Sequence, residues 1–276
     1  MRKLIGLSAV ACLTSTPGAP NTPTLTPDDC VFIAQYDALN DYTFASDFAF
    51  MAHHTDHLER NIYLQQPLKK KLLDVEISLA AASNIDQVDA LNVGIEDFFL
   101  ITRDHTPIRV TVREFGNLET ESKGILVIFL VDKGNIKIFA DDFNSNNLSE
   151  FSQYIKRLMN PGSTCGILTV LFDEEFEMSA MFVNAEHHNT PRAIASCMRE
   201  EAYNSLGLTA DPQGNVSLFS NPLWRGEPSE IEGDFGYGYR DELMLKMLYR
   251  SEFENGQSYA ETQVEVAAII ATECAG

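Results

Sequence analysis

Basic residues are in short supply: 20 Lys and Arg stand against 40 Asp and Glu, a formal net charge of -20 at pH 7 over 276 residues. A phosphate backbone or an anionic lipid surface repels such a field, so neither nucleic acid nor electrostatic membrane binding is expected. The acids are scattered, and Asp173-Glu174-Glu175-Phe176-Glu177 is the one dense run. It lies between two strand-like stretches and reads as a solvated hairpin tip rather than a calcium loop. Long apolar runs are missing as well. Past the N-terminus no segment reaches the roughly 18 uninterrupted apolar residues of a membrane span. The chain lacks a glycine-rich phosphate loop, a G-x-S-x-G elbow and a paired-carboxylate signature that stands above the acidic background, and no cofactor is expected. Cysteine is sparse at five residues, with spacings that match neither a zinc knuckle nor a C-x-x-C redox motif.

What is present begins at the first residues. Arg2 and Lys3 form a basic start, Leu4 to Ala11 is a short apolar run, and Cys12 follows. This is the outline of an export signal over residues 1–11. Ala9-Val10-Ala11-Cys12 resembles the bacterial lipobox, in which the cysteine becomes the lipid-bearing first residue of the mature chain; plain secretion with cleavage a few residues on is the alternative. Residues 12–29 then read as a lipidated Cys12 and a Pro/Thr-rich tether, and 30–276 as one globular domain without repeats. The expected location is the bacterial cell envelope, facing the periplasm or exterior, with membrane contact only through the N-terminal lipid. An oxidising compartment suits the four remaining cysteines, Cys30, Cys165, Cys197 and Cys274. Three pairings are open to them. The expected one joins Cys165 to Cys197, strand to following helix, and Cys30 to Cys274, the two ends of the domain.

Within the domain the periodicity alternates. A helix is expected over Ala38 to His57, with Phe44, Phe48 and Met51 on one stripe, and another over Asp86 to Ile101. Strands are expected at Leu72 to Leu79, Pro107 to Val112, and Gly124 to Val131, the last so apolar that it should be central. A helix over Asn147 to Met159 should end near Pro161-Gly162, and Gly166 to Phe172 and Glu177 to Val183 read as a strand pair. Two helices follow, Pro191 to Leu206 closed by Gly207, and Tyr239 to Arg250. The order argues for an α+β (α/β-like) single domain, a mixed sheet with helices packed on it.

The helix after the strand pair is the informative one. At helical spacing Ile194, Met198, Glu201 and Ser205 share a stripe, which places a carboxylate on an otherwise apolar face. Burying such a group unpaired is costly, so Glu201 either meets a polar partner or is a functional carboxylate with a raised pKa.

The run Cys197-Met198-Arg199-Glu200-Glu201 and Leu206-Gly207-Leu208, with Ser217-Leu218-Phe219, Asp241-Glu242-Leu243 and Met247-Leu248-Tyr249, resembles domain-of-unknown-function family 2927, a group of exported bacterial proteins. The likeness is carried by scattered motifs between residues 38 and 260. The same pattern is similar to a metzincin protease frame, in which H-E-x-x-H-x-x-G sets two imidazoles on zinc and a Glu as general base. The resemblance implies a zincin-like fold. It sets Glu200 and Asn204 at the two histidine positions, Glu201 at the base and Ala210 at the third ligand. Ser217-Leu218-Phe219 falls at the Met-turn and Gly238 at the cap of the closing helix, where a Thr is expected. An Ala cannot ligate a metal, and Glu200 and Asn204 offer oxygens only, so zinc is not expected. Glu201 is then a base without a metal-activated water.

These residues point to a pseudo-metalloprotease: an envelope lipoprotein that serves as a binding or structural component, with an unknown envelope protein or peptide as partner. The alternative is an active peptidase or hydrolase that uses Glu201 with another metal site. His53-His54-Thr55-Asp56-His57 is the candidate, since His53 and His57 would share a face of the expected helix. His187-His188 reads as a loop ahead of the Glu201 helix.

Overall fold

The almost wholly apolar run Gly124–Val131 lies at the middle of a five-stranded mixed sheet. The computed structural model describes residues 24–55, 64–72, 74–81, 85–113, 124–132, 135–145, 152–153, 155–156, 165–173, 176–184, 190–213 and 236–275. In chain order the elements are α1 (Pro27–Leu39), α2 (Phe44–His53), β1 (His54–Thr55), β2 (Leu64–Gln65), β3 (Val75–Ala81), α3 (Ile85–His105), β4 (Val110–Arg113), β5 (Gly124–Val131), α4 (Ile136–Ser145), β6 (Cys165–Asp173), β7 (Phe176–Asn184), α5 (Pro191–Asn204), α6 (Tyr239–Leu248) and α7 (Tyr259–Glu273). This is an α+β single domain. The sheet order is β4-β3-β5-β7-β6, parallel throughout except for β6, which runs antiparallel to β7. Parallel neighbours need a crossover, and α3 supplies the one between β3 and β4.

Strands covered on both faces carry apolar residues on both. On β5, Leu126, Ile128 and Leu130 are buried on one face and Val127 and Val131 on the other. On β3 the alternation has a different meaning: Val75 and Ile77 enter the apolar core, while Glu76 and Ser78 are equally buried on the opposite face. Helices α3 and α5 pack side by side, and α5 also rests on β6 and β7. Gly94 makes the α3–α5 approach possible, because a Cβ there would lie 2.7 Å from the Cβ of Met198. Away from the sheet, α2 packs against α7.

Two disulfides fasten this arrangement, Cys165–Cys197 between β6 and α5, and Cys30–Cys274 between α1 and the end of α7. The expected pairing is the one present.

Several boundaries differ from expectation. The helix expected over 38–57 forms only as α2, with Ala38 and Leu39 ending α1 and His54 and Thr55 in β1, because polar side chains capture the backbone between the two helices. The Asp37 carboxylate accepts the Phe44 N–H at 2.6 Å, Asn40 Nδ2 donates to the Tyr36 carbonyl at 2.9 Å, and Thr43 caps α2 through Ser46 N–H at 3.2 Å. The stripe was nonetheless right: Phe44, Phe48 and Met51 are all fully buried. The folded domain also starts earlier than residue 30. Thr26 caps α1 with Pro27 in its first turn, and the Leu25 N–H donates to Glu273 at 2.6 Å. Helices α1, α4 and α7 answer to no expected element, α1 running through the end of the expected tether, and the helix expected over 147–159 lies largely outside the described residues.

Candidate functional site

Helix α5 begins where Thr190 Oγ1 accepts the Ala193 N–H at 3.2 Å and Pro191 takes the first turn, a position that needs no N–H. Past its end at Asn204 the chain turns off at Gly207, whose φ of +120° belongs to glycine and whose missing Cβ would fall 2.6 Å from the Lys69 carbonyl. Lys71 N–H and Tyr249 O–H both donate to the Leu206 carbonyl, at 3.1 and 3.2 Å, so this stop is held from two sides.

Of the stripe Ile194, Met198, Glu201 and Ser205, Ile194 and Met198 are buried, Glu201 joins them at 9% exposure, and Ser205 is half-buried with its Oγ donating to the Ala202 carbonyl at 2.6 Å. Glu200 and Asn204 are half-buried on the same two turns. Neither Glu200 nor Glu201 is free of interactions.

Around them the structure adds residues that sequence spacing did not pick out. Arg199 makes an ion pair with Asp97 of α3 at 2.5 Å, and its carbonyl accepts the Tyr237 O–H at 2.6 Å. Tyr203 donates to the Asp241 carbonyl at 2.8 Å, and burial pushes its phenol well above the usual 10.0, so it remains a donor. Asp241 also pairs with the buried Arg240 at 2.8 Å and accepts the Gly238 N–H at 2.8 Å. That bond makes Gly238 a helix cap through its backbone alone, without the hydroxyl of a threonine. One signal did point here. An interior helix glycine, Gly94, marks a close approach, and Asp97 lies one turn on along the same face.

The segment after α5 turns back along α2. Thr209 and Ala210 N–H groups donate to the Met51 carbonyl at 2.8 and 3.3 Å, and Thr209 Oγ1 donates to the His54 carbonyl at 2.7 Å. Farther on, the Gln213 N–H donates to Asp47 at 2.7 Å, while the other Asp47 oxygen accepts the Tyr36 O–H. Ala210, which the resemblance sets at a third ligand, is buried and its methyl group carries no donor atom.

The donor set does not fit zinc. Glu200, Asn204 and Ala210 bring one carboxylate, one amide and no third ligand, against the imidazole or thiolate set that zinc prefers. Among the described residues no group of three or more His, Cys, Asp or Glu could hold a metal ion. The histidine run does not supply one by the geometry expected of it, because α2 ends at His53 and His54 opens β1. His53 is therefore the last residue of that helix, and His57 lies outside the described residues. His53 is fully buried, with Nδ1 on the Gln66 carbonyl and Nε2 on the Thr262 hydroxyl, each at 2.8 Å. Both ring nitrogens are thus taken. His54 Nδ1 donates to the Phe50 carbonyl at 3.0 Å and its ring stacks on Phe50 at 4.4 Å. Cys12, His187, His188 and Ser217 to Phe219 also lie outside the described residues.

No protein-family model, no curated protein and no solved structure matches the chain.

Proposed function

We propose that the protein is a lipid-anchored component of the bacterial cell envelope whose zincin-like domain binds or supports another envelope protein or peptide without catalytic zinc. The observation that carries the reading is the state of α5. It follows β7 of a mixed sheet, lies on that sheet beside α3, buries Glu201 and stops at Gly207. Its ligand positions meanwhile hold Glu200, Asn204 and the donorless Ala210. The frame supports a zincin-like ancestry, and the donors support its loss of metal chemistry. In this reading Glu201 is a buried, partnered carboxylate that shapes the helix face, and Glu200 and Asn204 are the polar groups that face offers.

Metal analysis tests it. Purified mature protein dialysed against buffered zinc should retain far less than one equivalent and show no peptidase activity. Stoichiometric zinc, lost together with hydrolysis on Glu201→Gln or His57→Ala, would sink the proposal and establish the hydrolase alternative. The anchor has its own check: Cys12→Ser should abolish labelling by a lipid precursor and release the protein from the membrane fraction.

A further inference from the structure

Asn255-Gly256 is the one Asn-Gly dipeptide in the chain, and both residues are exposed on the turn ahead of α7. The Gln257 N–H donates to the Glu254 carbonyl at 3.3 Å, closing a β-turn whose third residue is Gly256 at φ +98°. A Cβ at Gly256 would meet nothing within 4 Å, so backbone conformation rather than crowding sets this glycine.

Residues 68–71 run beside the turn as a strap. Gly256 N–H donates to the Leu68 carbonyl and Leu68 N–H to the Gln257 carbonyl, each at 2.9 Å. The Asn255 side chain adds two bonds. Lys70 N–H can only donate and its carbonyl only accept, so Oδ1 faces the first at 2.7 Å and Nδ2 the second at 3.1 Å. The Lys70 ammonium donates to the Arg250 and Phe253 carbonyls at 3.2 and 2.5 Å. Next along the strap, Lys71 N–H holds the Leu206 carbonyl at 3.1 Å, and the Lys69 carbonyl lies against Gly207. The strap thus joins the turn to the chain end of α5.

An Asn-Gly pair carries a reaction of its own. A glycine has no side chain to keep its nitrogen from the preceding side-chain amide carbon. In the closed turn neither group is available: the Gly256 N–H is spent on Leu68, and the Asn255 amide is held at both ends by Lys70. We propose that Asn255 is a self-modification site gated by the strap. When turn and strap part, the Gly256 nitrogen gives up its proton and bonds to Asn255 Cγ. The Cγ–Nδ2 bond breaks and ammonia leaves with that proton. Water then opens the cyclic imide at either carbonyl, leaving aspartate or isoaspartate.

Neither product refastens the strap as before. Aspartate keeps an acceptor for the Lys70 N–H, but it has no N–H for the Lys70 carbonyl and sets a carboxylate oxygen against it. Isoaspartate routes the main chain through the former side chain and so displaces the Gly256 N–H from Leu68. Each product also adds a negative charge to a chain already at -20. The modification is a one-way mark that loosens the strap where it meets α5.

Ageing of the disulfide-intact protein at neutral pH, followed by peptide mass mapping with isoaspartate detection, tests this. Three hydrogen bonds must part, so Asn255 should convert on the order of tenfold to a thousandfold more slowly than in a Glu-Asn-Gly-Gln peptide. In urea it should convert at the peptide's rate, and Asn255→Ser should remove the fastest-converting site of the unfolded chain. The Gly256 amide reports the same opening, so its hydrogen-exchange protection should match the slowing within about tenfold. In the separated deamidated fraction, the Gly256 and Lys71 amides should exchange faster than in fresh protein, while those of β5 and β7 keep their protection. A native rate equal to the peptide's, faster conversion elsewhere in the unfolded chain, or unchanged strap amides in the deamidated fraction would each overturn the proposal.

Discussion

Gly207 concentrates two demands on one position, a left-handed backbone and a missing Cβ against the Lys69 carbonyl. Gly207→Ala should therefore cost about 2 kcal/mol or more, read as a lowered urea midpoint with unchanged slope. Gly256 shares the backbone requirement without the crowding, so Gly256→Ala should cost roughly half as much. Asp47 is a different kind of position. Burial raises its carboxyl above the ordinary 3.8, against the pull of the Tyr36 O–H, Gln213 N–H and Arg240. A carboxyl whose folded pKa exceeds its unfolded one gives stability at low pH that is lost as pH rises through the folded value. Asp47→Asn should remove that slope: wild-type stability relative to the variant should grow as pH falls from 7 to 4 in urea titrations. Parallel pH profiles would show that Asp47 titrates as an ordinary acid.

At the level of elements, the clearest sequence signals were those set by local patterning. β5 came out over its full length, and the strand pair and α5 within two residues, because apolar runs, the Thr190-Pro191 start and the Gly207 stop are local features. α7 was missed for a physical reason. Its alanine-rich sequence alternates acids with small apolar residues and shows no strong amphipathic stripe, although Ser258 and Glu261 form a capping box that was there to be read. Which residues Arg199 meets is not legible, because no periodicity relates it to Asp97 or Tyr237 and Gly94 marks only the approach of the two helices. The disulfides stood between these cases, since counting allowed three pairings and only the strand-to-helix argument favoured one. Their loops differ in length, with separations of 32 and 244 residues. Chain entropy alone assigns about 3.7 kcal/mol to Cys165–Cys197 and about 5.5 kcal/mol to Cys30–Cys274. Paired Cys→Ala variants should follow that order, and hydrogen exchange should distinguish them. Losing Cys165–Cys197 should loosen β6 against α5, whereas losing Cys30–Cys274 should fray α7 and the start of α1.

For the molecule as a whole, the excess of 20 acids is the governing quantity. A compact body holding that charge repels itself, and unfolding relieves the strain by spreading the charges apart. Local pairs act the other way. Arg250, buried, is shared by Glu252 and Glu273 at 2.7 and 2.6 Å, and Lys246 holds Asp29 at 2.6 Å. Salt screens exposed charges beyond about 8 Å at physiological strength and buried contact pairs much less. The long-range repulsion is therefore weakened first while these half-buried pairs survive. Thermal midpoints should accordingly rise between 0.05 and 1 M NaCl, steeply at first and then levelling as the screening length shrinks to about 3 Å. The same series with Arg250→Met separates the two contributions. Its midpoint should start lower, because Glu252 and Glu273 lose a shared cation, yet climb with salt by at least as much as the wild type. A wild-type midpoint that falls with salt would mean that attractive pairs, not the net charge, dominate the electrostatics of this fold.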